Sequence, residues 1–268
     1  MNKIPKESHG CDFSRARNYI LDGHASHFLQ ILSFSQFSFP QLNSLISSYS
    51  CNISGRVKVT QEYLNGAVSD VIVPYVSQVF YRVPSSSSLV DAPDTRFNFF
   101  VSKILPMLRS SSTHSTSLHQ QSHTLLVVPS YFDFTRIRNY LNDHNYSACF
   151  ISEYTSQSKV DRARSDFVKG EIKLMVYSER YHFFRRTKLR GVKHVVFYSP
   201  LTYSKFYSEL VNMIGNGGSG SGQQDELQDV SCTCLFSLFD RGTLEGIVGS
   251  SRMNRMITGS KEAYMFSS

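Results

Sequence analysis

The sequence lacks the long apolar runs and the cysteine framework that mark membrane and secreted proteins. No stretch of about 18 or more apolar residues occurs in it, and its first residues do not contain the apolar core of a signal peptide. Its five cysteines are an odd number without framework spacing, which favours a reducing compartment. We therefore expect neither a membrane-spanning nor a secreted protein.

The sequence also lacks a complete catalytic or metal-binding motif. Gly217 and Gly222 have the glycine spacing of a P-loop, but Gln223 stands where the loop requires the lysine that reaches the nucleotide phosphates. No Gly-x-Ser-x-Gly motif marks a serine nucleophile. Cys232 and Cys234 do not have the Cys-x-x-Cys spacing of a zinc site, which indicates buried free thiols on a strand. We therefore expect no catalytic residue, no metal and no cofactor.

What the sequence does contain is the composition of a folded, basic protein. Its 268 residues are 41% hydrophobic and 13% aromatic, enough for one large or two small cores. The net charge is +7, and this excess lies between Lys159 and Lys193, where eleven basic residues accompany four acidic ones. The rest of the chain carries 17 of each. Such clustering is typical either of a solvated helix face with a basic loop or of a surface that binds RNA or a ribonucleoprotein.

Short apolar runs alternate with helical patterns from about residue 95 onward. The runs are nearly continuous in β-branched and aromatic residues, as in strands that are covered on both faces of a parallel sheet. We predict strands within residues 27–34, 56–59, 71–83, 124–128, 148–151, 173–177, 194–198 and 232–236. Helical spacing predicts helices over residues 39–49, 94–108, 131–143, 158–170, 204–215 and 241–257. The alternation indicates an α/β fold with right-handed crossovers.

Prolines, glycines and polar stretches punctuate these elements. Pro106 is expected to end or kink the second helix, and Gly170 is expected to cap the fourth. Residues 84–88, 110–123 and 215–226 are rich in Ser, Gly and Gln, which cannot bury enough apolar area to offset the entropy of ordering. We expect mobile surface loops there, with a disordered loop over residues 215–229.

Two stretches resemble the second RecA-like domain of DEAD-box-type RNA helicases of superfamily 2. Residues 75–141 are similar to the linker strand, first helix and first strand of that domain, and residues 153–215 have its later skeleton. Upstream, residues 31–35 stand where those enzymes end the first domain's Ser-Ala-Thr strand. The resemblance implies a parallel sheet with helices on both faces.

The residues that handle ATP in these helicases are replaced. Val160 stands in place of the arginine of Gln-x-x-Arg, and Glu179 in place of the aspartate of Thr-Asp. After Tyr207, Leu210 and Met213 replace the two arginines of the last helicase motif. Because the chain also lacks the Walker lysine and the DEAD box, the resemblance implies a degenerate helicase that is not an enzyme.

Four segments together resemble the digestive organ expansion factor family. They are residues 14–35, 153–167, 177–201 and 239–256. Members of this family are helicase-like, U3 small nucleolar RNA-associated proteins of the small-subunit processome. The resemblance runs from about Ser14 to Phe266 but lacks an N-terminal half, so this chain looks like a C-terminal portion or a short paralogue.

The family resemblance implies a domain organisation. Residues 1–70 are expected to be the end of an incomplete first RecA-like domain. Residues 71–93 are expected to form a linker strand and loop, and residues 94–268 a second, helicase-C-like domain.

The resemblance also implies a function in the nucleus. It predicts an ATP-independent scaffold of the nucleolar small-subunit processome, which acts in 18S pre-ribosomal RNA processing and ribosome biogenesis. The implied partners are pre-ribosomal RNA, U3 small nucleolar RNA and processome proteins, without a membrane. Two alternatives stay open: an active RNA-dependent ATPase or helicase completed by a partner, and a truncated paralogue without function.

The candidate contacts to RNA or to an acidic partner are basic residues on helices and in the basic loop. Arg162 and Arg164 are two positions apart on a helix and so point to different faces, where a neighbouring aspartate could pair with one of them. Phe183 and Phe184 lie within the densest basic group; they can stack on bases or anchor the segment in the core, and we favour the core. The full set is Arg162, Arg164, Arg180, Arg185, Arg186, Lys188, Arg190, Arg252 and Arg255.

Overall fold

The chain divides into two compact units, residues 1–61 and residues 62–268. The computed structural model describes residues 10, 12, 14, 16–35, 40–59, 63–85, 88–110, 123–214 and 230–267. The loops predicted over residues 110–123 and 215–229 fall almost entirely outside these described residues.

The described residues of the first unit form three α-helices, α1 (Asn18–Leu21), α2 (Ala25–Phe28) and α3 (Pro40–Tyr49). The predicted strands within residues 27–34 and 56–59 are wrong, because these residues form the end of α2 and irregular backbone. A strand needs a neighbour along its length. Among the described residues of this unit, one backbone hydrogen bond joins distant segments, from Ile53 N to His27 O at 3.0 Å. Among the unit's described residues only Ser50 is buried.

The second unit is built on a seven-stranded sheet. Its strands are β1 (Ser77–Arg82), β2 (Thr124–Val128), β3 (Ala148–Ile151), β4 (Leu174–Ser178), β5 (His194–Phe197), β6 (Ser231–Phe236) and β7 (Ala263–Ser267). The order is β3-β4-β2-β5-β6-β1-β7, and all neighbours are parallel except the antiparallel pair of β1 and β7. Six of the strands are confirmed predictions. β7 was not among the predicted strands, and its residues alternate between exposed and half-buried at the sheet edge.

Helices connect the strands on both sides of the sheet. They are α4 (Ala92–Phe99), α5 (Leu105–Ser110), α6 (Tyr131–Asp143), α7 (Gln157–Lys169), α8 (Glu179–Arg185), α9 (Ser204–Val211), α10 (Arg241–Val248) and α11 (Ser250–Thr258). Pro106 does not end its helix. A π-helical turn, Phe100–Ile104, joins α4 to α5 just before Pro106, which has no backbone N–H to donate. Gly170 caps α7 in the left-handed conformation, as predicted.

Successive residues of β2 point into two different cores. Leu125 and Val127 pack with α7, α8, α9, α10 and α11, whereas Leu126 and Val128 pack with the helical segment of α4 and α5 and with α6. All five residues of β2 are buried, as are all five of β4 and all four of β5. The predicted α/β class, with a largely parallel sheet covered on both faces, is confirmed.

The segment before β1 belongs with the second unit. The Tyr63 carbonyl accepts a bond from Ser250 N at 2.8 Å, and the Asn212 side chain accepts one from Ile72 N at 2.8 Å. The compact units divide after residue 61, and the division at residue 70 between two RecA-like domains stays a prediction. Within the predicted linker, residues 71–93, lies β1, which pairs with β6 and β7 inside the sheet.

Candidate functional site

The basic residues between Lys159 and Lys193 all reach the surface. Ten of them lie on α7, on α8 and in the segment that leads from α8 to β5, and Lys173 immediately precedes β4. The helices α7 and α8 pack against the same face of the sheet. Nine of the eleven are exposed, and the other two, Arg164 and Lys193, are half-buried. We call the surface that these eleven basic side chains form, within residues 159–193, the basic surface. Its position follows from the connections β3–α7–β4 and β4–α8–β5, which place consecutive helices side by side.

Arg162 and Arg164 point to different faces of α7, as predicted, and both have acidic neighbours. The Arg162 guanidinium lies 3.8 Å from Asp166 and is 86% exposed, so this pair is loose and solvated. Arg164 lies 3.7 Å from Asp161 and donates to the Lys188 carbonyl at 3.2 Å. The second contact ties α7 to the segment after α8 and makes the basic surface continuous.

The five basic residues from Arg180 to Arg190 divide into two groups. Arg186 donates to both carboxylate oxygens of Glu209, at 2.5 and 2.7 Å, so its charge is matched within the protein. Arg180 lies 3.8 Å from Glu153 in a partly exposed pair. Among the residues that the structure describes, the remaining three have no carboxylate partner; they are Arg185, Lys188 and Arg190.

A buried polar network lies beneath the basic surface. His182 is only 1% exposed and lies between the Tyr177 hydroxyl, 3.2 Å from Nδ1, and the Glu209 carboxylate, 3.1 Å from Nε2. Since a carboxylate only accepts, Nε2 carries the proton and Nδ1 accepts from the tyrosine. Burial lowers the pKa of His182, and the hydrogen bond to Glu209 opposes this shift.

Glu179 is the second buried titratable group of this region. It accepts from the Tyr203 amide and from the Thr202 hydroxyl, both at 3.1 Å, and burial raises the pKa of its carboxyl group. These bonds hold the start of α9 against α8. Sequence reasoning missed both α8 and this network; the signal was Ser178, whose side chain accepts from Tyr181 N at 3.0 Å and caps the helix.

Phe183 and Phe184 do not lie in the core, so the interpretation that we favoured from the sequence is wrong. They are 45% and 62% exposed, respectively. The face of α8 that enters the core carries Tyr181 and His182 instead, and a helix of seven residues can bury only one face. Both rings therefore lie at the surface among arginines.

The residues that stand in place of the helicase arginines are buried in the interior of the protein. Val160, Leu210 and Met213 are buried in the core on the helix side of the sheet that carries α7 and α9. Tyr207 is fully buried and donates to Gln78 Oε1 at 2.9 Å. These positions present apolar side chains to the core, and no charge to a ligand.

Arg252 and Arg255 are not brought to the basic surface. Both are exposed on α11. The Arg252 guanidinium lies 5.5 Å from the ring centroid of Phe266 in β7, and it donates to the Asn65 carbonyl at 3.1 Å. Because β7 and β3 are at opposite ends of the sheet order, these two arginines form a separate basic group.

Cys149, Cys232 and Cys234 are buried free thiols, and burial raises the pKa of Cys149 and of Cys232 to about 12. Within the described ranges, no group of three or more His, Cys, Asp or Glu residues is arranged to hold a metal ion. None of the helices in the described part of the chain combines the length and apolarity needed to cross a membrane.

Relatives of known name align with nearly the whole chain. A Schizosaccharomyces pombe protein named U3 small nucleolar RNA-associated protein 25 is 42% identical over 272 residues, which cover 99% of this chain and 39% of that protein. A human protein named U3 small nucleolar RNA-associated protein 25 homolog is 37% identical over 266 residues, or 99% of this chain and 33% of that protein. The chain thus spans between a third and two fifths of the length of these curated relatives.

Solved structures of DEAD-box proteins are similar to parts of the chain. The C-terminal domain of the DEAD-box protein Dbp5 matches 69% of this chain and 87% of its own, with 14% identity and a TM-score of 0.43. The structure of S. cerevisiae Dbp5 bound to RNA and ADP BeF3 matches 92% of this chain and 55% of its own, with 12% identity and a TM-score of 0.48.

Two family models match the chain, one in each unit. The model described as "UTP25, NTP hydrolase-like domain" matches residues 1–57, and the model described as "Utp25, C-terminal domain" matches residues 68–266. The second match alone covers well over half of the chain. The resemblance drawn from the sequence is therefore confirmed, and the chain belongs to the Utp25 family.

Proposed function

We propose that this chain is a helicase-like scaffold of the nucleolar small-subunit processome, which acts without ATP in 18S pre-ribosomal RNA processing and ribosome biogenesis. Family membership supports the role in the U3 processome, since the relatives are named for association with U3 small nucleolar RNA. The proposed partners are pre-ribosomal RNA, U3 small nucleolar RNA and processome proteins. The proposed location is the nucleolus.

The observation that carries the RNA-binding part of the proposal is the basic surface. It holds the whole net charge of the chain, and every basic side chain in it reaches solvent. Arg185, Lys188 and Arg190 keep charges that no described carboxylate compensates. Unmatched cations on one face attract phosphates, and the released counterions add to the binding free energy. An acidic protein would bind the same charges, so the experiment must distinguish an acidic protein partner from RNA.

ATP-independence is supported by what occupies the positions of the last helicase motif. Leu210 and Met213 are buried, so a phosphate group finds no cation there. Glu209, one position before Leu210, is held by Arg186 and His182. This carboxylate pairs with the Arg186 guanidinium, so the charge of that arginine is matched within the protein and is not free for a nucleotide phosphate, which favours a scaffold over an ATPase.

The basic surface is tested by removing its uncompensated charges. We expect the triple variant Arg185→Gln, Lys188→Gln, Arg190→Gln to bind U3 and 18S precursor RNA more weakly than the wild-type chain in filter-binding titrations. If the three side chains each neutralise one phosphate of a single strand, the slope of log K against log salt falls by about 2.

A matched control removes the same number of positive charges at positions outside the basic surface. The triple variant Arg138→Gln, Arg241→Gln, Lys261→Gln changes residues of α6 and α10 and the residue two positions before β7. It should reduce the salt slope much less. Equal losses in both triple variants would show a non-specific charge effect, and unchanged binding in the first would remove the basic surface from the proposal. Weak RNA binding together with tight binding to polyglutamate would identify an acidic protein as the partner.

A further inference from the structure

Four aromatic rings form a continuous row between α8 and the start of α9. The centroids of Phe184 and Phe183 are 5.2 Å apart, those of Phe183 and Tyr203 are 5.3 Å apart, and those of Tyr203 and Phe206 are 5.0 Å apart. These spacings are within the range of favourable ring contacts. We call the four residues the aromatic ladder. It leads from a buried end at Phe206 to an exposed end at Phe184.

A guanidinium lies at each end of the aromatic ladder. Arg186 lies 4.4 Å from the centroid of Phe206, and its bidentate pair with Glu209 fixes it there. Arg180 lies 5.9 Å from the centroid of Phe184 at the exposed end. The buried end is therefore anchored by ion pairing and ring packing. A platform held in this way loses little conformational entropy when a ligand binds.

The exposed end combines apolar rings with basic side chains. Two adjacent phenylalanine rings face solvent, although burying a phenylalanine is worth about 1.5–3 kcal/mol. The charged residues next to them in the sequence, Arg180, Arg185 and Arg186, are all basic. Flat apolar faces beside cations fit a ligand that carries both π-faces and negative charge.

We propose that Phe183 and Phe184 are stacking sites for unpaired RNA bases. This inference deepens the proposed RNA binding and rests on it. Bases of a duplex are already stacked on each other and hide their faces, so only a single-stranded segment, a loop or a bulge can use the two rings. Arg185 and Lys188 contact the phosphates of the same segment, while the rings hold its bases. The basic surface thereby prefers single-stranded RNA.

The first test uses the absence of tryptophan from the chain. Phe184→Trp introduces a single tryptophan, excited apart from the tyrosines, at the exposed end of the aromatic ladder, and Phe239→Trp introduces one at an exposed phenylalanine outside it. A mixed-sequence single-stranded RNA of about 12 nucleotides should quench the emission of Phe184→Trp by base stacking. The same strand annealed to its complement should quench it much less. Phe239→Trp should respond to neither RNA.

Equal quenching by strand and duplex, or quenching at Phe239→Trp alone, would overturn the stacking assignment. So would RNA binding without any change in Phe184→Trp emission. Efficient competition by polyglutamate, with no quenching by RNA, would also contradict it and would point to an acidic protein partner. These failures differ from failure of the proposed function, in which the wild-type chain binds neither RNA in a salt-dependent way.

The second test measures affinity with the ring removed. Phe184→Ala should weaken binding of the single strand by between about five- and a hundredfold, the range found when one stacking side chain is truncated, and should leave the salt slope unchanged. Phe239→Ala is the matched control and should keep wild-type affinity. Thermal melting confirms that both variants are folded, and Phe184→Trp, which keeps a ring, should retain wild-type affinity. An unchanged affinity for Phe184→Ala would refute the proposal.

Discussion

His182 shows at the residue scale how burial and hydrogen bonding fix a charge state. Its neutral form satisfies both neighbours, since Nε2 donates to Glu209 and Nδ1 accepts from Tyr177. A second proton has no acceptor at Nδ1 unless the tyrosine hydroxyl turns away. Arg186 adds a positive charge nearby that further disfavours the protonated ring. The folded state therefore prefers neutral histidine.

This preference predicts a stability that depends on pH. Because the pKa of His182 is lowered in the folded state from 6.5, its stabilising contribution is present above that value and is lost as the pH falls through the folded pKa. The free energy of unfolding should thus fall between about pH 7.5 and about pH 5.5. His182→Gln, which keeps a donor and an acceptor but does not titrate, should cost about 2 kcal/mol at the higher pH. Urea titrations measure whether the difference in the free energy of unfolding between the wild-type chain and His182→Gln is smaller at the lower pH. A difference that does not change with pH would contradict the assignment.

Single residues also mark the limit of prediction from the sequence. Arg185 and Arg186 are adjacent and identical in type, yet one is uncompensated and the other is bound to Glu209. No local pattern separates them, because the partner is 23 positions away on another helix. The sequence predicts that the segment is basic, whereas the tertiary contacts decide which charges remain available.

At the scale of elements, two glycines control how the segment before β1 meets the junction of α10 and α11. Gly249 joins these helices with a φ of 91°. A Cβ on it would lie 2.8 Å from the Leu64 carbonyl oxygen and 3.1 Å from that of Tyr63. A Cβ on Gly66, with φ of 69°, would meet the Ile247 carbonyl oxygen at 2.4 Å. Each glycine thus lets one backbone approach the other.

Gly249→Ala should therefore destabilise the second unit by about 3 kcal/mol or more, since it combines a backbone conformation that is essentially restricted to glycine with a clash against main chain. Chemical denaturation measures the loss. Gly242→Ala is the matched control, because Gly242 is helical and a Cβ there meets nothing within 4 Å. That variant should be unchanged or more stable by up to about 1 kcal/mol. Equal stabilities for the two variants would show that the approach of the backbones is not tight.

Elements were predictable where the pattern is strong and local. The buried strands β2, β4 and β5 and the amphipathic α6 and α7 match their predictions closely. The predicted single helix over residues 241–257 is in fact two helices, because Gly249 breaks the helix where it packs against the backbone of Tyr63 and Leu64, far away in the sequence. β7 forms because its backbone pairs with the open edge of β1. Both features depend on a partner that the local sequence does not contain.

At the scale of the whole molecule, the two units differ in how much they bury. The second unit has a core on each face of its sheet. Among the described residues of the first unit, twelve large apolar side chains are exposed; they are Tyr19, Ile20, Leu21, Phe28, Leu29, Leu32, Phe34, Leu45, Tyr49, Ile53, Val57 and Val59. The sequence predicts the α/β sheet of the second unit because its strands carry their own burial signal. The first unit has similar short apolar runs, but its described residues form no sheet, so the strands predicted there were wrong.

This difference predicts that the second unit folds on its own. Limited trypsin digestion of the full chain should cleave first within residues 1–61, whose described part buries only Ser50, and should leave a stable fragment that begins near residue 62. A chain of residues 62–268 should melt cooperatively within a few degrees of the main transition of the full chain, because the two cores are intact. Its binding of the dye ANS should be lower, since the exposed apolar residues of the first unit are gone. Loss of the cooperative transition in the shortened chain would mean that residues 1–61 supply contacts on which the sheet depends.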